Sequence, residues 1–158
     1  MINWEAVGAI GEIVGATAVV LTLFYLAAQV RHSSKLARNT AMQEVAHASL
    51  EAPLALATDE SLGNALSRYN LNEEVTPGEL TRLAAFTYAS NRHFENIYSQ
   101  YREGMLEEDL WKGFRSNLKA LNRRRSSELF IPSYYSTEYV KLVEEIDQEI
   151  GQENQVDA

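Results

Sequence analysis

Glu12 is the residue whose setting demands chemistry: a carboxylate in a run from Ala6 to Val30 that is otherwise almost wholly apolar or small, closed by Arg31. On insertion scales an acid facing lipid costs about 2.5–3.5 kcal/mol, so such a group is paired, protonated or wet. Two roles fit. In a ring of helices Glu12 is an intramembrane ionisable group that exchanges protons or attracts cations along a pore. In a helix pair it hydrogen-bonds across the contact, or lies near enough to the outer headgroups to keep its water. The apolar run holds no second acid, no His and no Pro to extend a relay.

Other constellations are thinner. His47 follows Glu44 by three residues, a spacing that can share a metal but needs further ligands, and His93 and Glu95 flank Phe94 and point apart. Both pairs read as solvated surface groups. Neither a Gly-rich phosphate loop nor a His-Glu-x-x-His helix, a Ser-centred elbow or a pair of catalytic acids is present. The chain has no Cys, which removes disulfides, thiolate metal sites and cysteine nucleophiles. The expectation is a protein that is not an enzyme, with no catalytic residue, cofactor or metal. Its net charge of -8 repels nucleic acid and, for the domain as a whole, anionic lipid headgroups, so no nucleic-acid partner is expected. Arg123-Arg124-Arg125 is the one basic run, read as a solvated helix terminus favoured by the carbonyl end of the dipole, or as a contact with anionic headgroups if the fold returns it to a membrane.

The element that carries Glu12 is a helix of about 25 residues, or about 37 Å, long enough to cross a hydrocarbon core of about 30 Å. Mean hydropathy over the whole chain is only -0.27, so the apolar character is concentrated at this end and the remainder forms an aqueous domain. Residues 1–31 are assigned to a transmembrane helix with a short interface segment. Met1 to Glu5 carry no basic side chain and the apolar stretch is long, which disfavours a cleavable signal peptide. Arg31, Lys35 and Arg38 follow the span, so the positive-inside rule puts the C-terminal part in the cytoplasm and the N-terminus outside. Trp4, Tyr25, Arg31 and Lys35 serve as interface anchors.

At 100° per residue Gly8, Gly11, Gly15, Thr22 and Gln29 share one stripe, with Glu12 and Glu5 along its edge. Lipid gives helices no hydrophobic reason to pair, and small residues such as Gly11-x-x-x-Gly15 let backbones approach, so a homo-oligomer is expected through Gly8, Gly11, Gly15 and Thr22.

Beyond the span every periodicity is helical, giving an all-α fold: one transmembrane helix continuing into a stalk at 32–57, a small cytoplasmic bundle at 58–150 and a disordered acidic tail at 151–158. In the stalk Leu36, Thr40, Val45, Leu50 and Leu54 are available for packing. Thr58-Asp59-Glu60 caps a short helix, and Thr76, Pro77 and Glu79 form a capping box that opens a helix ended by Gly104. That helix presents Leu83, Phe86, Ser90, Phe94, Ile97 and Tyr101 as a core stripe. The next presents Leu106, Leu110, Phe114, Leu118 and Leu121, and the last buries Tyr139, Val143, Ile146 and Ile150.

The opening Trp4-Glu5-Ala6-Val7-Gly8-Ala9-Ile10-Gly11-Glu12-Ile13-Val14-Gly15, the exit Tyr25-Leu26-Ala27-Ala28-Gln29-Val30-Arg31, and Phe94-Glu95-Asn96, Tyr101-Arg102-Glu103-Gly104 and Leu110-Trp111 resemble a family of small uncharacterised bacterial single-pass membrane proteins. The resemblance implies a bacterial inner membrane and no particular reaction. Members tend to carry a tryptophan pair before the last helix, where this chain has Leu129-Phe130 and Tyr134-Tyr135. Two function classes follow. One is a membrane-anchored helical interaction, scaffold or regulatory module whose partners are the lipid bilayer, a second copy and an unidentified membrane or cytoplasmic protein. The other is a small homo-oligomeric channel or transporter accessory with a ring of Glu12.

Overall fold

The computed structural model describes residues 4–156, and those residues are predominantly helical with no strand among them. Six α-helices follow in order: α1 Trp4–Ala48, α2 Glu51–Thr58, α3 Glu60–Asn70, α4 Pro77–Arg102, α5 Glu108–Asn122 and α6 Thr137–Val156. Two short 3-10 turns, Arg125–Leu129 and Pro132–Tyr134, join α5 to α6. The chain divides into two compact units between Thr40 and Ala41.

The first unit is helix α1 as far as Thr40, and it contains the apolar run. The second begins eight residues before α1 ends, so the bundle starts at Ala41 rather than at 58. Val45 is the reason, since it is buried with Ile97, Tyr139 and Ile146. The expected stalk of 32–57 is also interrupted. Pro53 has no N–H to give the Ser49 carbonyl and its ring crowds that group, so α1 stops at Ala48 and Pro53 falls in the first turn of α2. The break turns Ala55 and Leu56 toward the core and leaves Leu50 and Leu54 exposed, as Leu36 is in the first unit.

Helix α4 is shared by two cores. Its N-terminal half places Leu83 against Leu62, Ala65, Leu66 and Tyr69 of α3, while its C-terminal half places Ile97 against Trp111 and Leu118 of α5 and Leu142, Val143 and Ile146 of α6. The capping box is formed as expected: Glu79 N–H donates to Thr76 Oγ1 at 3.3 Å and Thr76 N–H to Glu79 Oε2 at 2.8 Å. Asp59 caps α3 by accepting from Leu62 N–H at 3.1 Å. After α4 the chain turns at Gly104, whose φ of 71° suits a residue without Cβ. In α5 it is Trp111 that is buried, stacked on Tyr101 at 5.0 Å, and Leu110 is pushed outward.

The C-terminal tail departs from expectation, because α6 runs on through Gly151 to Val156 instead of ending in a disordered segment. Its acidic residues supply the reason. Arg115 and Lys119 of α5 both pair with Glu149, and Lys119 and Arg123 both pair with Glu153, so the last turns of α6 are tied to α5. Asp157 and Ala158 lie outside the described residues.

Candidate functional site

Helix α1 presents an uncovered apolar surface. An 18-residue window in it reaches a mean hydropathy of 2.0 with none of the window buried, and Phe24 is 71 % exposed. The helix is therefore long and apolar enough to cross a membrane. Gly8, Gly11 and Gly15 line one face, where an added Cβ would meet nothing within 4 Å. Thr22, on the same face, donates its hydroxyl to the Ala18 carbonyl at 2.8 Å, and Thr17 does likewise to Ile13. Each hydroxyl is thus satisfied on its own helix and needs no water there. Glu12, Tyr25, Arg31 and Lys35 are exposed. The Trp4 side chain lies outside the described residues.

In the bundle, polar chemistry gathers along α4. Ser49 Oγ donates to the Val45 carbonyl at 2.6 Å and lies 3.0 Å from His93 Nε2. Having given its one proton to Val45, Ser49 can only accept, so His93 donates from Nε2 and is not poised as a base toward this serine. Burial lowers the His93 pKa, with Glu51 pulling the other way. His93 borders a cavity of about 240 Å³ walled by Ala52, Ala55, Phe86 and Ala89. Far from being a solvated surface group, it fastens the turn after α1 to α4.

Glu95 is likewise engaged. Its Oε1 accepts from Ser136 N–H at 2.7 Å while Oε2 accepts from Arg92 at 2.6 Å. Desolvation opposes its ionisation, but the Ser136 N–H and the Arg92 guanidinium outweigh it and hold the carboxyl below its ordinary pKa. Arg92 is placed over two aromatic rings, Tyr88 at 5.5 Å and Tyr135 at 5.3 Å. Burial raises the Tyr135 phenol to about 12, so it stays protonated at neutral pH.

The basic run is distributed. Arg123 pairs with Glu153, and Arg125 sits 4.3 Å from the centre of the Tyr69 ring and donates to the Tyr69 carbonyl. Two of the three arginines thus act within the fold. His47 and Glu44 are exposed, and no group of three or more His, Cys, Asp or Glu that could hold a metal occurs among the described residues. Sequence reasoning missed the Ser49–His93 and Glu95–Ser136 contacts, whose partners lie more than 40 residues apart and leave no local signature. Comparison with family models, with curated proteins and with solved structures found no match.

Proposed function

We propose that this chain is a membrane-anchored helical interaction module, scaffolding or regulatory in kind. Helix α1 fixes it in a bacterial inner membrane and self-associates through Gly8, Gly11, Gly15 and Thr22. One observation carries this: a helix long and apolar enough to cross a membrane has none of its apolar window buried, so something outside the chain must cover it. Lipid suits the Ile, Val, Leu and Phe side, and a second copy suits the glycine side. The basic exit at Arg31 and Lys35 supports a cytoplasmic bundle and an outside N-terminus. The bundle then offers its surface to a protein partner, and no catalysis is assigned to it.

The alternative is a small homo-oligomeric channel or accessory subunit lined by Glu12, favoured by the exposure of that carboxylate at the margin of the glycine stripe. The mass of the detergent-solubilised protein separates the two, because a dimer cannot line a pore with one helix from each copy. A dimer is expected. A reporter fused after Ala158 is expected to be active only in the cytoplasm, and periplasmic activity would refute the orientation.

A further inference from the structure

Arg31, Lys35 and Arg38 recur at steps of four and three on an uninterrupted helix, so they fall within a sector of about 60°. All three are exposed. The same sector, continued toward the N-terminus, holds Ile13, Val20 and Phe24, themselves exposed. The sector roughly opposite holds Gly8, Gly11, Gly15 and Thr22, and runs on through Gln29, Ser33, Leu36 and Thr40 without a charge. The basic row is thus the continuation of the greasy side of α1 and is turned away from the glycine side.

We propose that Arg31, Lys35 and Arg38 form a docking surface for the headgroup phosphates of anionic phospholipids. The inference rests on the membrane anchoring proposed above and adds a lipid preference to it. Lipid is favoured over a second copy by placement: a helix pair closed on the glycines leaves the basic row facing the bilayer. It is favoured by local charge: the three cations stand on a stretch with no Asp or Glu between Glu12 and Glu44, although the chain as a whole is acidic. The axial extent also fits. From Arg31 to Arg38 the helix rises about 10 Å, comparable to the headgroup zone of one leaflet at roughly 5–8 Å, and flexible Arg and Lys stems can reach the remainder. Planar guanidiniums bind a phosphodiester through paired N–H donors, and the ammonium of Lys35 adds a point charge.

The full chain, reconstituted in phosphatidylcholine vesicles with a minor share of phosphatidylglycerol, tests this with spin-labelled phosphatidylglycerol and spin-labelled phosphatidylcholine as probes. The phosphatidylglycerol label is expected to be immobilised severalfold more than the phosphatidylcholine label at low salt. Parity is expected in R31Q/K35Q/R38Q, and in the unaltered protein at about 1 M salt, where screening leaves only roughly 3 Å of reach. Removing three basic residues can also alter insertion, so the salt titration of the unaltered protein stands as an independent measurement. Equal immobilisation of both labels at low salt, or a preference that neither salt nor substitution reduces, overturns the proposal while leaving the anchor intact. Failure to float with vesicles and to immobilise either label overturns both.

Discussion

The Tyr139 hydroxyl donates to Asn91 Oδ1 at 2.9 Å inside the bundle, and Asn91 Nδ2 passes the chain on to the Thr87 carbonyl at 2.9 Å. Both side chains are essentially removed from water. Burial pushes the Tyr139 phenol far up, so it is a permanent donor. Tyr139→Phe leaves the Asn91 oxygen buried and unpaired, and the expected loss is about 1–3 kcal/mol in denaturant unfolding. The double substitution with Asn91→Leu should cost less than the sum of the two single changes.

His93 makes stability sensitive to mild acid. Its pKa is lowered in the fold, so the unfolded chain takes up the proton first and the bundle loses stability as pH falls below about 6.5, with no contribution above it. The melting temperature of the unaltered protein should drop between pH 7 and pH 5 more steeply than that of His93→Gln. Identical slopes would show that His93 protonation is not coupled to folding.

The α5–α6 ion ladder works at lower pH and with its own sign. Hydrogen bonds from Arg115 and Lys119 lower the Glu149 pKa to about 2, so its contribution is complete above its ordinary pKa and lost as pH falls toward 2. Glu149 is 40 % exposed, and solvent screening reduces the stake to about 0.5–1 kcal/mol at neutral pH. Glu149→Gln is expected to remove that amount and to speed amide exchange in the last turns of α6 before it affects the core.

Replacing Gly11 and Gly15 by Leu should weaken self-association in detergent or vesicles, because bulky side chains hold the backbones apart. Leu at Ala9 or Ala16, nearer the other face of α1, should matter less. Energy transfer between labelled copies reads the difference, and equal losses on both faces would dispose of the glycine contact.

Glu12→Gln keeps a hydrogen-bonding side chain of the same size and removes the charge. For an interaction module the substitution should leave the oligomer unchanged or more stable. Cation or proton flux through liposomes containing the unaltered protein, abolished by Glu12→Gln with the assembly retained, would instead favour the pore.

Local signals were legible in the sequence. The Thr76-Pro77-Glu79 start, the Asp59 cap, the turn at Gly104 and the stripe through Leu83, Ser90 and Ile97 each depend on residues within a few positions of one another, and each is found. What escaped depends on distant pairing. Nothing near Gly151 announces that Glu149 and Glu153 will meet Arg115, Lys119 and Arg123, although their four-residue spacing on both helices was the available clue. Pro53 is the local mark of the break in the expected stalk of 32–57, because a proline suits the first turn of a new helix and not the interior of a continuing one.

Ser136 begins α6 by accepting from Tyr139 N–H at 3.4 Å, and the carboxylate that completes the cap comes from Glu95 on α4 rather than from α6 itself. A helix whose first turn is finished by another helix cannot be fully satisfied while the two are apart. The nucleation cost of α6 is therefore met only after a loop of some 40 residues has closed, which makes α6 a late and dependent element in folding. In native-state hydrogen exchange its first-turn amides should open together with α4 in a single cooperative step, and not as a fraying end.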